Sequence, residues 1–261
     1  MKKIAVCGKG GSGKSVIVGL LAGGMRRRGQ RVLVVDSDES NTGLNRMLGF
    51  DSPPEPLIEY MGGRKRVEEN IADKIKSGVP EHLVHLMTRE VSVADIPSQH
   101  IKERDGIRLV TVGKILMALE GCACPIGIVS RSFLKELRLE ADEIAIVDME
   151  AGVEHFGRGV EASIDCVLVV VEPSRDSLEV AERIASLSTQ IKIGDVWIIL
   201  NKITSEKLAR ELTHELNKRN LTVIGTIHHN LEIFQACLRG QPLSSGIAQE
   251  DIHRVLDFLF P

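Results

Sequence analysis

Seven short apolar runs are spread along the 261-residue chain, separated by polar and amphipathic segments. Each run is rich in Val, Ile, Leu and Ala and is bounded by glycine or charge, a pattern typical of a strand buried on both faces. The predicted strands are Lys3–Cys7, Arg31–Asp36, Arg108–Val112, Glu143–Asp148, Cys166–Val171, Val196–Asn201 and Leu221–Ile227.

Helical patterns fill most of the intervals between these runs. They cover residues 15–28, 130–139, 174–191 and 205–220, with a further helix in 249–261. Strands that alternate with helices predict an α/β fold with a mostly parallel β-sheet flanked by helices on both faces. Between about Pro53 and Asp105 there is no convincing strand, so we expect helices and loops there. No repeat or linker divides the chain, so residues 1–261 are expected to form a single domain.

Composition and charge restrict the type of core, the partners and the cellular location that we expect. Aromatic residues make up 3% of the chain against 43% hydrophobic residues, so the core must be aliphatic. A net charge of −3 argues against a broad basic surface, and we expect no nucleic acid partner. No signal pattern precedes the first run, and no apolar stretch approaches the roughly 20 residues that cross a bilayer. Together with five cysteines suited to a reducing compartment, this favours a cytoplasmic protein without a membrane partner.

A glycine-rich loop directly follows the first predicted strand and precedes the first predicted helix. Such a loop wraps backbone N–H groups around a phosphate, and the helix N-terminus adds its positive dipole end. In this pattern Lys14 provides charge for the β/γ-phosphates and Ser15 a hydroxyl for Mg²⁺. The predicted phosphate-binding residues are Gly8, Lys9, Gly10, Gly11, Ser12, Gly13, Lys14 and Ser15. The chain is therefore predicted to be a P-loop NTPase.

Three acidic residues follow predicted strands. Asp36 and Asp38 come at the end of the second strand, where two carboxylates can serve a metal ion and a water molecule. Asp148 ends the fourth strand, at the Walker B position that holds Mg²⁺ through water. We expect Ser15, Asp36 and Asp148 to form the Mg²⁺ site.

Asn201 and Lys202 follow the sixth predicted strand and are expected beside the base. A guanine site would place a carboxylate two positions after this lysine, but that position is Thr204. The asparagine can still bond an adenine edge, so the sequence favours ATP.

Two cysteines in a Gly-Cys-Ala-Cys-Pro segment form the second candidate site. Cys122 and Cys124 can both ligate a soft or borderline metal ion, and a two-fold dimer would supply four thiolates for Zn²⁺ or Ni²⁺. A Cys-x-Cys pair alone is equally compatible with coincidence. The remaining cysteines, Cys7, Cys166 and Cys237, are interpreted as structural.

Lys9 makes the phosphate loop resemble that of the deviant Walker A ATPases related to MinD, ParA and the nitrogenase iron protein. The resemblance implies a dimer formed around ATP, with Lys9 reaching the partner's nucleotide. It also implies that Asp36 orders the Mg²⁺ shell and that Asp38 orients or activates the attacking water. Asn41 would face the partner, and the Gly152 N–H would meet the γ-phosphate.

The cysteine segment and residues 148–159 and 227–233 resemble CooC-type ATPases, which insert nickel into carbon monoxide dehydrogenase. The resemblance implies a homodimeric ATPase that delivers Ni²⁺ to apo carbon monoxide dehydrogenase or a related acetyl-CoA synthase, with Zn²⁺ able to bind in vitro. ATP hydrolysis would open the dimer and release the metal. Residues 51–104 align least, so no partner role is assigned to them.

Two alternatives remain open. A cluster-carrying ATPase like the nitrogenase iron protein needs a second cysteine after the second switch, and none follows Gly152 there. A MinD- or ParA-like positioning ATPase on a membrane would end in a basic amphipathic helix. In residues 249–261 acids outnumber bases, so we expect that helix to dock on the sheet.

Overall fold

An eight-stranded, almost entirely parallel sheet runs through the protein. The structure, a computed structural model, describes residues 1–115, 124–153, 155–156, 159, 163–243, 246 and 248–261. The strands are β1 Lys3–Gly8, β2 Arg31–Asp36, β3 Val91–Ser92, β4 Lys102–Arg104, β5 Ile107–Thr111, β6 Leu137–Arg138, β7 Glu143–Asp148, β8 Cys166–Val171, β9 Asp195–Ile203 and β10 Val223–His228. In the sheet their order is β10-β9-β8-β1-β7-β2-β5-β4, and β3 and β6 form a separate pair.

Helices cover both faces of this sheet. They are α1 Lys14–Arg27, α2 Leu44–Met47, α3 Leu57–Tyr60, α4 Arg64–Lys76, α5 Cys124–Glu136, α6 Arg175–Gln190, α7 Glu206–Asn217, α8 Leu231–Arg239 and α9 Gln249–Leu259. Helices α1 and α9 pack on one face, and α5, α6 and α7 pack on the other. The predicted docking of the C-terminal helix is thus observed. Among the helices of the described residues, none is long and apolar enough to cross a membrane.

The period of two in a strand divides the core into two layers. In β1, Ile4 and Val6 belong to the layer under α1 and α9, whereas Ala5 and Cys7 belong to the opposite layer. All four residues are fully buried. Because both faces of the strand are covered, its sequence is a continuous apolar run. Burial also raises the pKa of the Cys7 thiol, in keeping with its predicted structural role.

One expectation about the middle of the chain was wrong. Residues 53–105 contain helices α3 and α4 as predicted, but they also contain the short strands β3 and β4. Strand β4 pairs antiparallel with β5 through a two-residue turn, in which Asp105 and Gly106 have φ values of 51° and 76°. An Asp-Gly pair with positive φ at both positions is the favoured hairpin turn. The strand has no apolar pattern, since it consists of Lys, Glu and Arg.

Helix α5 begins earlier than expected. The predicted segment was 130–139, but the helix spans Cys124–Glu136. Pro125 is the second helical residue, a place where proline costs no backbone hydrogen bond. As a result Cys124 is the first residue of a helix.

Candidate nucleotide site

The loop between β1 and α1 has the backbone geometry of a phosphate cradle. Gly8 has a φ of 142°, and a Cβ there would lie 2.5 Å from the carbonyl oxygen of Val170 on β8. Gly13 is left-handed with a φ of 95°, and no side chain caps the N-terminus of α1. The first N–H groups of α1 therefore face the loop, as an anion-binding helix terminus requires. Lys14 and Ser15, the first two residues of α1, are both buried.

The predicted Mg²⁺ ligands converge beside this loop. Ser15 Oγ donates to Asp148 Oδ2 at 2.6 Å, and the Asn41 amide donates to Ser15 Oγ at 2.6 Å. Asn41, expected to face a partner, thus contacts its own chain. Asp36 lies on the neighbouring strand β2, directly paired in register with Asp148 on β7, and accepts a hydrogen bond from Lys114 Nζ at 2.8 Å.

Both carboxyl groups resist ionisation. Burial, followed by the charge of Asp36, raises the pKa of Asp148 to about 7. Burial also raises the pKa of Asp36 to about 6, although Lys114 opposes the shift. Removing a carboxylate from water disfavours its charged form, and a second carboxylate nearby adds to the effect.

This arrangement fits a divalent cation. Asp148 is fully buried, and its Oδ1 has no hydrogen-bond partner among the residues that the structure describes. Oxygen ligands from two carboxyl groups and a hydroxyl suit Mg²⁺, which is held by few protein ligands together with phosphate oxygens. Ser15, Asp36 and Asp148 are therefore the side chains that would hold it.

Asp38, the predicted catalytic residue, is turned onto its own loop. Its Oδ1 accepts from the Ser40 N–H at 2.9 Å, the Ser40 hydroxyl at 2.6 Å and the Asn41 N–H at 3.1 Å. The side chain is buried and shapes residues 36–41, which we call the first-switch loop. Asp38 thus lies next to the predicted Mg²⁺ ligands, and its side chain is hydrogen-bonded within its own loop.

Lys9 is held by an acidic residue of its own chain. Its Nζ lies 3.3 Å from Glu172 Oε1 and 3.9 Å from Asp176 Oδ2. Glu172 also binds Lys202 Nζ at 2.8 Å, and Lys202 in turn donates to the Gly11 carbonyl. Glu172 therefore joins the phosphate loop to the end of β9.

Gly152, whose N–H is predicted by resemblance to meet the γ-phosphate, lies next to the phosphate loop. Its N–H donates to the Gly8 carbonyl at 3.2 Å, and its φ is 86°. A contact between this N–H and a γ-phosphate requires that hydrogen bond to be given up.

A cavity of about 350 Å³ opens on the other side of Gly13. Asn201 and Lys202 border it, as predicted for the base, and so does His228 at the end of β10. The Asn201 amide donates to the Ser12 carbonyl at 2.8 Å, so part of its hydrogen-bonding capacity is used on the loop. Phe234 and Cys237 of α8 complete an apolar wall. The size and lining suit a purine base.

Of the two predicted thiol ligands, Cys124 lies within the described residues. Cys122 lies outside the described residues. Cys124 is partly buried at the start of α5, and that helix is tied to the first-switch loop by a 2.8 Å hydrogen bond between Ser37 and Ser130. Within the described part of the chain, no group of three or more His, Cys, Asp or Glu side chains is arranged to hold a metal ion.

Two residues of the site, Lys114 and Glu172, were not predicted from the sequence. Lys114 contacts a residue 78 positions away, and Glu172 contacts one 163 positions away. Such pairs leave no local pattern. His228 lies in residues 227–233, the segment that the resemblance to CooC-type ATPases implies is near the adenine.

Comparison with known proteins identifies the family. The profile of the CobQ/CobB/MinD/ParA nucleotide binding domain matches residues 3–243. The chain belongs to this family. The chain is also similar to an uncharacterized ATP-binding protein of Methanocaldococcus jannaschii, with 40% identity over 97% of this chain and 99% of that protein.

One further relative and one solved structure are similar to this CobQ/CobB/MinD/ParA-family protein. The carbon monoxide dehydrogenase accessory protein CooC of Rhodospirillum rubrum is 36% identical over 78% of this chain and 75% of its own. The septum site-determining protein MinD of Pyrococcus horikoshii, solved with Mg-ADP, has a TM-score of 0.68 at 16% identity, covering 99% of this chain and 96% of that one. The predicted α/β P-loop NTPase fold is confirmed.

Proposed function

We propose that the protein is an ATP-dependent metallochaperone that binds nickel through Cys122 and Cys124 at a dimer interface. It would insert the metal into apo carbon monoxide dehydrogenase or a related acetyl-CoA synthase. The observation that carries the proposal is the 36% identity to CooC, a carbon monoxide dehydrogenase accessory protein. A second support is the position of Cys124, on a helix hydrogen-bonded to the first-switch loop.

The nucleotide half of the proposal assigns a role to each side chain of the site. Lys14 and the N–H groups of the loop bind the phosphates of ATP. Mg²⁺, when bound, neutralises charge on the β- and γ-phosphates. Asp38 orients the attacking water once its bonds to Ser40 are exchanged, and Lys9 leaves Glu172 to contact the partner's γ-phosphate.

The metal half follows from the chemistry of thiolates. Two Cys-x-Cys segments brought together by closure of the dimer provide four sulfur ligands, a set suited to Zn²⁺ and Ni²⁺. Hydrolysis opens the dimer and separates the pairs, so the metal passes to the client. Linkage between two binding sites is reciprocal. If ATP tightens metal binding, bound metal must therefore tighten ATP binding.

The test is anaerobic measurement of metal content and molecular mass, with and without ATP. The wild type would be compared with Cys122→Ser/Cys124→Ser and with Cys166→Ser, a control thiol that is fully buried in β8. We expect about half an equivalent of Ni²⁺ or Zn²⁺ per subunit in a dimer, lost in the double variant and kept in the control.

Other results would point to other functions. Iron with sulfide would favour the cluster-carrying ATPase. An ATP-dependent dimer without metal would contradict the metallochaperone and leave a MinD- or ParA-like switch. Lys14→Ala and Asp38→Asn separate the two halves, because both should abolish ATP hydrolysis while leaving the thiols intact.

A further inference from the structure

Backbone hydrogen bonds join the first-switch loop to residues 112–115, which precede the cysteine segment in the chain. The Val112 N–H donates to the Asp36 carbonyl at 2.9 Å, and the Ile115 N–H donates to the Glu39 carbonyl at 3.1 Å. These two bonds join the end of β2 to the end of β5 at the edge of the sheet where the phosphates are expected.

Lys114 sits between these two backbone bonds and reinforces them. Its Nζ donates to Asp36 Oδ1 at 2.8 Å and to the carbonyl oxygens of Asp38 and Asn41. The Lys114 side chain is 11% exposed and the Asp36 side chain 5% exposed. All three donors of one ammonium group are thus used within the loop that carries the predicted catalytic carboxylate.

The neighbour of Lys114 contacts the helix that begins with Cys124. A Cβ on Gly113 would lie 3.1 Å from Ile126, whose side chain belongs to the first turn of α5. The first-switch loop, Lys114, Gly113 and the start of α5 therefore form one contiguous path. A cavity of about 560 Å³ borders Asp36, Lys114 and Ile126, which leaves room for this path to shift.

We propose that Lys114 is a positioning residue that couples movement of the first-switch loop to the packing of Gly113 on the first turn of α5. Nucleotide that draws the loop toward the phosphates draws Gly113 with it and loosens its packing on Ile126. The reactivity and metal affinity of Cys124 then depend on the nucleotide state. This inference rests on the proposed function for its purpose, but the coupling itself can be tested without any metal.

The test is the rate at which iodoacetamide labels Cys124, with and without Mg²⁺ and a non-hydrolysable ATP analogue. Fragment-ion mass spectrometry assigns each labelled cysteine. Every protein in this test carries Lys9→Ala, because this substitution removes the cross-subunit contact of the proposed dimer. A change in labelling then cannot come from a second subunit that covers Cys124. With Lys114 present, nucleotide should speed labelling by about tenfold, within the usual range of coupling between sites.

Lys114→Met should bring the ratio of the labelling rates with and without nucleotide close to one. Lys114→Arg, which keeps the charge and the donors, should restore most of the tenfold ratio. A Lys114 that merely neutralised Asp36 would alter nucleotide affinity but leave the ratio at saturating nucleotide unchanged. The matched control is Lys102→Met, which removes a lysine bound to Ser52 and should keep the full ratio.

Other cysteines serve as internal standards. Cys237 lines the predicted base cavity and should be protected by nucleotide in every variant, which shows that nucleotide is bound. Cys7 and Cys166 are fully buried, so their labelling would reveal a variant that has lost its fold. In that event Lys114→Gln replaces Lys114→Met.

Two results would overturn the inference. A Lys114→Met protein that keeps the tenfold ratio would show that coupling runs elsewhere, for example through Ser37 and Ser130. A ratio near one with Lys114 present would show that the loop and α5 are not coupled. Neither result decides whether the thiols bind nickel, because that depends on the metal content of the dimer.

Discussion

At the scale of single residues, Asp148 has a proposed role in cation binding that lowers the stability of the folded protein. It is fully buried, one of its oxygens lacks a partner among the described residues, and its pKa is raised to about 7. An unpaired buried charge destabilises the folded state unless a ligand neutralises it. A bound cation would therefore remove an unfavourable charge at Asp148.

Asp148→Asn should stabilise the nucleotide-free protein at about pH 8, on the order of 1–3 kcal/mol, because it removes a buried charge. The native pKa lies above the ordinary value of 3.8, so the penalty is absent at low pH and appears as pH rises toward about 7. Thermal unfolding at several pH values should show wild-type stability falling over this range and a flatter profile for the variant. A variant less stable than the wild type at about pH 8 would contradict this account.

Residues of the phosphate loop were predictable from the sequence, and their supporting ion pairs were not. Gly8 and Gly13 are fixed by local backbone geometry, which leaves a pattern in consecutive positions. Lys114 and Glu172 depend on which strands become neighbours. The position of Cys122 stays a prediction, since it lies outside the described residues.

At the scale of elements, capping and close approach decide where helices begin and how they pack. Helices α6 and α7 are capped by Ser174 and Ser205, whose side chains accept from the backbone three residues on, and these serines are the predicted helix starts. Strand β4 escaped prediction because it carries only charged side chains. Its pairing comes from the Asp105–Gly106 turn, and an Asp-Gly pair is a sequence pattern that predicts a hairpin.

Two adjacent glycines of α1 should respond in opposite ways to alanine. A Cβ on Gly24 would lie 2.6 Å from Leu256 of α9, whereas a Cβ on Gly23 would lie 3.6 Å from an Arg27 nitrogen. Gly23→Ala should stabilise the protein by roughly 0.5–1 kcal/mol through helix propensity. Gly24→Ala should be about 1–3 kcal/mol less stable than Gly23→Ala, since α1 and α9 must separate.

Chemical denaturation would measure both alanine variants. Equal free energies of unfolding would mean that Leu256 moves aside without cost. Gly24 would then have no packing role at the contact between α1 and α9.

His228 connects three elements in a way that depends on pH. Its Nδ1 lies 3.0 Å from Asp251 at the start of α9, and its Nε2 lies 3.1 Å from Glu206 at the start of α7. The hydrogen bond to Asp251, together with the Glu206 charge, raises the pKa of His228 above 6.5. The imidazolium is thus favoured in the folded protein.

The stabilisation from His228 should be complete below about pH 6.5 and should be lost as pH rises through the raised native pKa. His228→Gln should therefore lower the melting temperature more at about pH 6 than at about pH 9. Arg254→Gln, which changes a charge elsewhere on α9, is the control. A His228→Gln effect that is independent of pH would mean that the ring acts through packing alone.

At the scale of the whole molecule, Glu172 would compete with the second subunit of the proposed dimer for Lys9. The Glu172 side chain is 19% exposed and the Lys9 side chain 32%, so their ion pair is partly shielded from water. In the proposed dimer Lys9 must break this pair. The fold class was predictable from alternating apolar runs, but the order of the strands, and with it this pairing, was not.

Glu172→Gln should strengthen dimerisation in the presence of a non-hydrolysable ATP analogue by about two- to fivefold, the range for a partly exposed ion pair. Sedimentation equilibrium would measure it. Asp176→Asn is the matched control, since Asp176 is 76% exposed and 3.9 Å from Lys9, and it should have little effect. Weaker dimerisation of Glu172→Gln would mean that Glu172 mainly supports the phosphate loop through Lys202.

The position of β1 between β7 and β8 sets the order in which a nascent chain can become functional. Lys3 pairs with Ala145, and Ile4 pairs with Cys166. The phosphate loop therefore leaves the ribosome early, but the strand that carries it gains both neighbours only after residue 171 has been synthesised. Contacts of such long sequence separation form slowly. A chain that ended before β8 would carry the whole phosphate loop without the sheet that shapes it, so nucleotide binding would report that synthesis has passed β8.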